Sequence, residues 1–182
     1  MATILRVNMD DLSVRREEAD LRYRELGGRG LTSALVADEV PPHCHPLSAA
    51  NKLVLAPGLL TGTGAPCSGR LSAGAKSPLT WTIKEANSGG MAAIDLAICG
   101  LQAIVVEGRP AAGTWYRRRV TPGDAVLEPA DDLAGLGNYD TVARQCDRFG
   151  GKISCISIGQ AGEMRAGAAS IAVTDVELRP TR

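Results

Sequence analysis

The chain has 182 residues, enough for one domain with a buried core, and we take residues 1–182 as a single domain. Lysine and arginine together number 20, as do aspartate and glutamate, so the formal net charge is zero. This balance argues against electrostatic capture of nucleic acid or of an anionic membrane face. Aromatic residues make up only 3%, whereas glycine numbers 21 and proline 10, a composition that favours many short strands over a helical bundle.

The cysteines argue against a disulfide framework and against a metal cluster held by this chain alone. No two stand at C-x-x-C spacing, and their number is odd: Cys44, Cys67, Cys99, Cys146 and Cys155. The start, MATILRVNMDD, reaches two acids before a signal-peptide core could form, and no apolar run approaches the roughly 20 residues that a membrane helix needs. We therefore expect a cytoplasmic protein with no membrane partner and no iron–sulfur cluster of its own.

The N-terminal half is predicted to form strands around one helix. Gly27, Gly28 and Gly30 stand too close together for a continuous helix, so a loop is expected across them and a helix over 32–39. The two prolines at 41 and 42 end that helix. Strands of this half are expected at 3–8, 13–19, 53–56 and 70–75, the first two forming a hairpin.

The C-terminal half continues with short strands and two helices. A polar turn over 87–90 is expected to open a helix over 91–99, which Gly100 ends because a left-handed position after a helix suits glycine. Asn138 is placed as the N-cap of a helix over 139–149. Strands are expected at 81–84, 103–107, 114–120, 153–158 and 166–173. Because strands outnumber helices and no strict βαβ rhythm joins them, the predicted class is α+β.

Two glycine-rich turns could together bind an anion. GTGAPCSGR at 62–70 ends in Arg70, and EANSGG at 85–90 offers the main-chain N–H groups of Asn87, Ser88, Gly89 and Gly90 at the start of a helix. Bare amides at a helix N-terminus favour a phosphate, and a guanidinium adds a rigid fork of donors. The alternative is that these are ordinary hairpin and helix-cap glycines.

Seven segments of the chain, taken together, resemble the N-terminal domain of the tungsten-dependent aldehyde ferredoxin oxidoreductases in order and spacing. They are LGGRGL at 26–31, DEVPP…HPLSAANKL at 38–53, LTGTGAPCSGR at 60–70, AKSPLT at 75–80, EANSGG at 85–90, AIVVEGR at 103–109 and SIGQAGE at 157–163. This resemblance implies an α+β fold in which two β-sheets form a base for a bis-pterin tungsten or molybdenum cofactor, with a few helices alongside.

The resemblance also implies roles for individual residues. The arginine that closes the GTGAP turn contacts the pterin cofactor in the family; here it is Arg70. The asparagine of the NSGG turn offers a carbonyl to a magnesium ion that bridges the two pterin phosphates, and a glycine of the same turn contacts the cofactor. Those positions are Asn87 and Gly89, so Asn87 is also the expected metal contact.

Several positions depart from the family pattern. Where the family has a segment of the type R-x-A-G-R-G-G with further magnesium contacts, this chain has MRAGAAS. Trp81 replaces a small glycine, Leu59 replaces a proline, and the Met91 segment replaces a bulkier aromatic pair. These changes predict a pocket that either holds a cofactor differently from the family pattern or holds none.

Three functions follow as hypotheses. The first is the cofactor-binding subunit of a split aldehyde oxidoreductase, inactive alone, whose partner subunit carries the iron–sulfur cluster. The second is a carrier of a pterin or another phosphorylated ligand without turnover. The third is a structural homo-oligomer in which Trp81 and Met91 fill the old pocket.

Other residues carry weaker signals. His43 and His45 could bind a metal, although a solvated loop is the expected setting. Cys67 is expected to be a buried, inert thiol, and the run from Arg117 to Arg119 a solvated strand edge.

Overall fold

The computed structural model describes residues 2–181, which form eleven strands and four α-helices. The strands are β1 (Thr3–Asn8), β2 (Val14–Glu18), β3 (Leu53–Pro57), β4 (Leu71–Lys76), β5 (Ile83–Ser88), β6 (Leu101–Glu107), β7 (Tyr116–Val120), β8 (Ala125–Pro129), β9 (Ile156–Ile158), β10 (Ile171–Thr174) and β11 (Pro180–Thr181). The helices are α1 (Gly28–Glu39), α2 (Ala92–Ile98), α3 (Asn138–Phe149) and α4 (Gln160–Glu163), with short 3-10 turns at Leu21–Tyr23 and Asp131–Leu133. None of the described helices is long and apolar enough to cross a bilayer.

The main sheet has six strands in the order β2-β1-β6-β3-β4-β5. Strands β1 and β6 run parallel, and all other neighbours are antiparallel. Three further strands form a second antiparallel sheet in the order β11-β10-β9, and β7 pairs with β8. This mixture confirms the predicted α+β class.

Both faces of the main sheet are covered by apolar side chains. Helix α1 packs Leu31, Leu35 and Val36 on one face, against a cluster that includes Ile4 and Val54. Helix α2 and strand β10 cover the other face with Ala92, Ala93, Leu96 and Val173, which pack against Leu5, Val7, Leu55, Leu71, Leu101 and Ile104. Because central strands are buried on both sides, β3 and residues 103–106 of β6 are continuous apolar runs rather than alternating ones.

Most predicted elements are confirmed, and the differences have local causes. Helix α1 begins at Gly28, four residues earlier than expected, because Gly28 turns into the helix at φ +50° while Gly27 acts as its N-cap. Strand β5 runs on to Ser88, where a turn was predicted, because Asn87 and Ser88 continue the ladder with β4. Gly137, and not Asn138, is the N-cap of α3. The strands β8 and β11 were not predicted.

A cluster of charges lies beside the C-terminal end of α1. Glu39 accepts hydrogen bonds from the Arg6 guanidinium at 2.6 and 2.7 Å and from Lys52 at 2.8 Å. Lys52 also pairs with Glu107 at 2.7 Å, and Arg6 pairs with Glu17. The cluster ties α1 to β1, β3 and β6 through ion pairs that are largely shielded from water.

Glu39 is expected to make the stability of the fold sensitive to acid. Burial alone would raise its pKa, but hydrogen bonds from Arg6 and Lys52 outweigh burial and lower the pKa to about 2. A carboxylate whose pKa falls on folding contributes stability that is present above its unfolded pKa and lost as the pH drops towards the folded value. Urea unfolding between pH 6 and pH 2 should therefore lose up to about 3 kcal/mol through this group. Glu39→Gln should flatten this part of the pH profile; an unchanged profile would contradict the assignment.

The arginine run on β7 is not a solvated edge, as the sequence had suggested. The Arg117 side chain is only 10% exposed and pairs with Glu128 at 3.1 Å. Arg118 points to the opposite face, and its three guanidinium nitrogens are buried without a hydrogen-bond acceptor in residues 2–181. Burial lowers the pKa of Arg118 to about 10.

Replacing Arg118 with methionine should stabilise the protein. An unpaired buried cation costs free energy that an apolar side chain of similar length avoids, so we expect Arg118→Met to raise the free energy of unfolding by about 1–3 kcal/mol. Arg119→Met is the control, because Arg119 is more exposed and pairs with Glu128, and a change within about 0.5 kcal/mol is expected there. Urea denaturation measures both; a destabilised Arg118→Met would mean that Arg118 has a partner.

Candidate functional site

Arg70 and Asn87 meet at one end of the β4–β5 hairpin. The register places Ser72 opposite Asn87 and Leu71 opposite Ser88, so Arg70 leaves the sheet beside the end of β5. The Arg70 Nε donates to Asn87 Oδ1 at 2.9 Å, and Nη2 donates to the same oxygen. Both residues are exposed. The asparagine therefore fixes the direction of a guanidinium that water can reach.

Gly89 lies next to the third guanidinium nitrogen. A Cβ added to Gly89 would stand 3.7 Å from Arg70 Nη1, the nitrogen that Asn87 does not use. A side chain longer than methyl at this position would cover Nη1. The glycine therefore leaves a donor open at the surface.

Ser88 and Gly90, the other two predicted binding residues, have structural environments. Ser88 is buried, and its hydroxyl donates to the Gly89 carbonyl at 3.3 Å. Gly90 has φ +97°, and a Cβ there would come within 3.0 Å of the Thr174 carbonyl at the end of β10. Gly90 thus lets the second sheet pack closely against the turn. This packing holds in place the turn that carries Gly89 beside Arg70.

Helix α2 contributes less to the site than the sequence suggested. It begins at Ala92 and has seven residues, with Met91 as N-cap and no side-chain cap. Since the helix dipole acts mainly through the first turn of a sustained helix, the strongest positive charge of the corner is the Arg70 guanidinium.

The structure adds a pair of residues that the sequence pattern does not indicate. Arg29, in the first turn of α1, donates to Glu85 at 3.0 Å, and the Glu85 side chain is only 8% exposed. Glu85 lies two residues before Asn87 on β5, so both side chains share the face that α1 covers. A prediction of the full length of β5 would have placed Glu85 and Asn87 on the same face of the strand, because they are two residues apart.

Trp81 does not fill the corner. It lies at the opposite end of the β4–β5 hairpin, is 55% exposed, and packs edge-on against His45 with ring centroids 5.1 Å apart. Lys76 Nζ lies 5.8 Å from the centre of its ring. Met91 is also exposed. The hypothesis of a pocket filled by Trp81 and Met91 therefore loses its structural basis.

The loop before Arg70 also differs from expectation at one point. Cys67 is exposed and has φ +58°, so the prediction of a buried thiol is wrong.

In residues 2–181, no group of three or more histidine, cysteine, aspartate or glutamate side chains is arranged to hold a metal ion.

The sequence model described as "Aldehyde ferredoxin oxidoreductase, N-terminal domain" matches residues 4–181. The chain belongs to this family. Proteins named "Tungsten-containing aldehyde ferredoxin oxidoreductase" are similar over most of the chain. Those of Pyrococcus furiosus and Thermococcus kodakarensis are each 38% identical over 162 residues, 87% of this chain and 26% of theirs. That of Pyrococcus horikoshii is 34% identical over 171 residues, 92% of this chain and 28% of its own.

A solved structure shares the fold of the family member described here. It is the "Active site complex BamBC of Benzoyl Coenzyme A reductase in complex with 1,5 Dienoyl-CoA", which superposes with a TM-score of 0.89 at 29% identity. The match covers 95% of this chain and 27% of that one. The chain therefore spans about a quarter of the length of the proteins that it matches.

Substitution of Gly90 tests whether the turn of this family domain is held by close packing. Gly90→Ala should destabilise the fold for two reasons. The new methyl group collides with the Thr174 carbonyl, and alanine is strained at a positive φ. The control is Gly64→Ala, since Gly64 has φ +84° and nothing within 4 Å of an added Cβ. We expect Gly90→Ala to cost at least about 2 kcal/mol more than Gly64→Ala in urea unfolding. Equal decreases in the free energy of unfolding of the two variants would show that the second sheet does not pack closely against this turn.

Proposed function

We propose that this domain holds the phosphorylated part of a bis-pterin tungsten or molybdenum cofactor at the corner formed by Arg70 and Asn87. A partner polypeptide supplies the iron–sulfur cluster and the rest of the pocket, and the assembled enzyme oxidises an aldehyde. Membership of the aldehyde ferredoxin oxidoreductase family supports the cofactor class. The single observation that carries the site is the exposed guanidinium of Arg70, fixed by Asn87 and bordered by Gly89.

The donors at this corner suit a phosphate. Asn87 uses Nε and Nη2 of Arg70 but not Nη1, and Gly89 leaves room for a bulky anion to approach that third nitrogen. A guanidinium that is already oriented loses little conformational entropy when it binds, and its hydrogen bonds to a charged oxygen are strong. Ser88 and Gly90 act in this proposal through the main chain, by keeping the turn in shape.

Asn87 has two tasks in the proposal. Its side-chain oxygen accepts two N–H groups of Arg70, which use both of its lone pairs. We therefore assign the magnesium contact to the main-chain carbonyl of Asn87. The bound cofactor supplies the redox chemistry, and Arg70, Asn87 and Gly89 orient it without acting as acids or bases. The domain is accordingly not expected to turn over substrate by itself.

Two observations support a partner polypeptide. The Arg70–Asn87 corner lies at the surface of the domain, so one side of any bound cofactor stays uncovered by residues 2–181. The solved structure described above is a complex, named BamBC. The chain of that complex that matches this domain is about four times as long as the matched region. We propose a second subunit in this role.

A second candidate is a carrier that binds a pterin and releases it. The exposure of both Arg70 and Asn87 favours it, because an open corner lets a ligand leave as readily as it enters. The two functions differ in what remains bound: a carrier holds pterin without a redox-active metal, whereas the subunit of an oxidoreductase retains both when its partner is present.

Arg70→Ala should weaken retention of the cofactor without unfolding the domain. The protein is expressed together with its gene neighbours, and bound pterin is measured by fluorescence after oxidation, with tungsten and molybdenum measured by mass spectrometry. Loss of a charge-assisted contact predicts a decrease of roughly tenfold or more in pterin per chain. Arg15→Ala, at the exposed edge strand β2, should leave retention unchanged. Equal retention in Arg70→Ala and the unsubstituted chain would remove the corner from consideration.

A further inference from the structure

Arg29 lies in the first turn of α1, at the same end of the main sheet as the Arg70–Asn87 corner. A Cβ added to Gly28, the residue before it, would stand 3.4 Å from Ser72 Oγ, and Ser72 is paired with Asn87. Directly paired residues of antiparallel strands point to the same face of a sheet, so the Asn87 side chain lies on the face where α1 begins. The corner and the start of α1 are therefore neighbours on one surface.

Glu85 holds the Arg29 guanidinium on that surface. The Glu85 side chain is only 8% exposed, and its Oε2 accepts from Arg29 Nε at 3.0 Å. Its Oε1 is buried and receives no hydrogen bond from residues 2–181. Because a buried carboxylate that loses its cation is left with an uncompensated charge, this ion pair keeps the guanidinium in place.

The outer part of the Arg29 guanidinium remains accessible to a ligand. The Arg29 side chain is 74% exposed, and the pair with Glu85 uses Nε, so Nη1 and Nη2 form no hydrogen bond within residues 2–181. Arg70 is similar, because Asn87 uses its Nε and Nη2 but not its Nη1. The surface thus carries two anchored guanidinium groups, each with donor nitrogens that the fold does not use.

The spacing and the local charge suit an anion with two charged groups. The two anchoring residues, Glu85 and Asn87, are two positions apart on β5, which corresponds to about 7 Å along a strand. The Glu85 carboxylate is buried under its ion pair, and the first turn of α1 contains no acidic residue. The dipole of this twelve-residue helix adds a favourable field for a phosphate next to Arg29.

We infer that Arg29 binds a second phosphate of the ligand whose first phosphate is held by Arg70. The inference rests on the proposed function in that the Arg70–Asn87 corner binds a phosphorylated ligand, and it adds that this ligand carries two phosphate groups. A guanidinium binds phosphate oxygens through parallel N–H donors, which Nη1 and Nη2 of Arg29 supply. In the alternative, Arg29 only ties α1 to β5 and takes no part in binding.

The test compares phosphate, pyrophosphate and propane-1,3-diyl bisphosphate as probes. Each is titrated into the isotope-labelled chain at constant ionic strength, and the amide shifts of Gly30 and Gly89 give the dissociation constants. Two anchored guanidinium groups predict that one of the two larger probes binds roughly tenfold or more tightly than phosphate. Preference for pyrophosphate would identify a diphosphate linkage, and preference for the propane compound two separate phosphates. If neither binds more tightly than phosphate, the inference is wrong.

The double variant Arg29→Gln/Glu85→Gln removes the second guanidinium without leaving a buried charge unpaired. Its net charge equals that of the unsubstituted chain, so general electrostatic attraction of the probes is unchanged. We expect the preference over phosphate to fall at least about fivefold, while phosphate still shifts the Gly89 amide. The control is Arg24→Gln/Glu18→Gln, which removes an exposed ion pair at the opposite edge strand, β2, and should keep the preference. An unchanged preference in the Arg29 double variant would overturn the inference.

Arg29→Lys is a second variant that preserves the ion pair with Glu85. Lysine offers a single ammonium in place of a planar fork, so the preference over phosphate should fall at least about threefold. A purely structural role of Arg29 predicts instead that the preference is retained, and that result would contradict the inference even if the double variant does not fold.

Two combinations of results separate this inference from the proposed function. If Arg70→Ala loses pterin and the Arg29 double variant keeps its preference over phosphate, the cofactor corner stands and the role of Arg29 is rejected. If the double variant loses its preference and Arg70→Ala retains pterin, the contact with a second phosphate is supported and pterin is rejected as the ligand.

Discussion

The antiparallel register between β4 and β5 is the constraint on which the candidate site depends. Because Ser72 stands opposite Asn87, the residue before β4 and the residues after β5 leave the sheet side by side. A slip of one residue would turn Asn87 to the other face and separate it from Arg70. The pairing of a guanidinium with an asparagine, 17 positions apart in the chain, is thus a consequence of strand register rather than of either loop.

Close backbone approaches then fix the loops at this end of the sheet. A Cβ on Gly27 would collide with the main chain at Leu59, and one on Gly74 would come 2.6 Å from Thr32 Cβ. The same holds for Gly90 and the end of β10. These glycines let α1, the GTGAP loop and the second sheet converge where side chains would hold them apart. Close packing of main chain therefore shapes the loops around the site, while the Arg70 and Asn87 side chains form the site itself.

The sequence predicted the class, most strands and the closeness of Arg70 and Asn87, because apolar runs and glycine turns are local signals. It failed where long-range contacts decide. The full length of β5 depends on pairing with β4, and the entry of Gly28 into α1 depends on packing against the Gly58 loop. The buried setting of Arg118 follows from the face that β7 presents to the core, which three consecutive arginines do not reveal.

The polar groups of the two ends of the main sheet differ in a way that bears on function. At the end where α1 stops, the charged side chains form ion pairs with one another and are largely shielded from water; they are Arg6, Glu39, Lys52 and Glu107. At the opposite end, Arg70 is exposed, and its Nη1 is the one guanidinium nitrogen that Asn87 does not use. In the proposed function, a phosphate of the cofactor is the partner of this guanidinium.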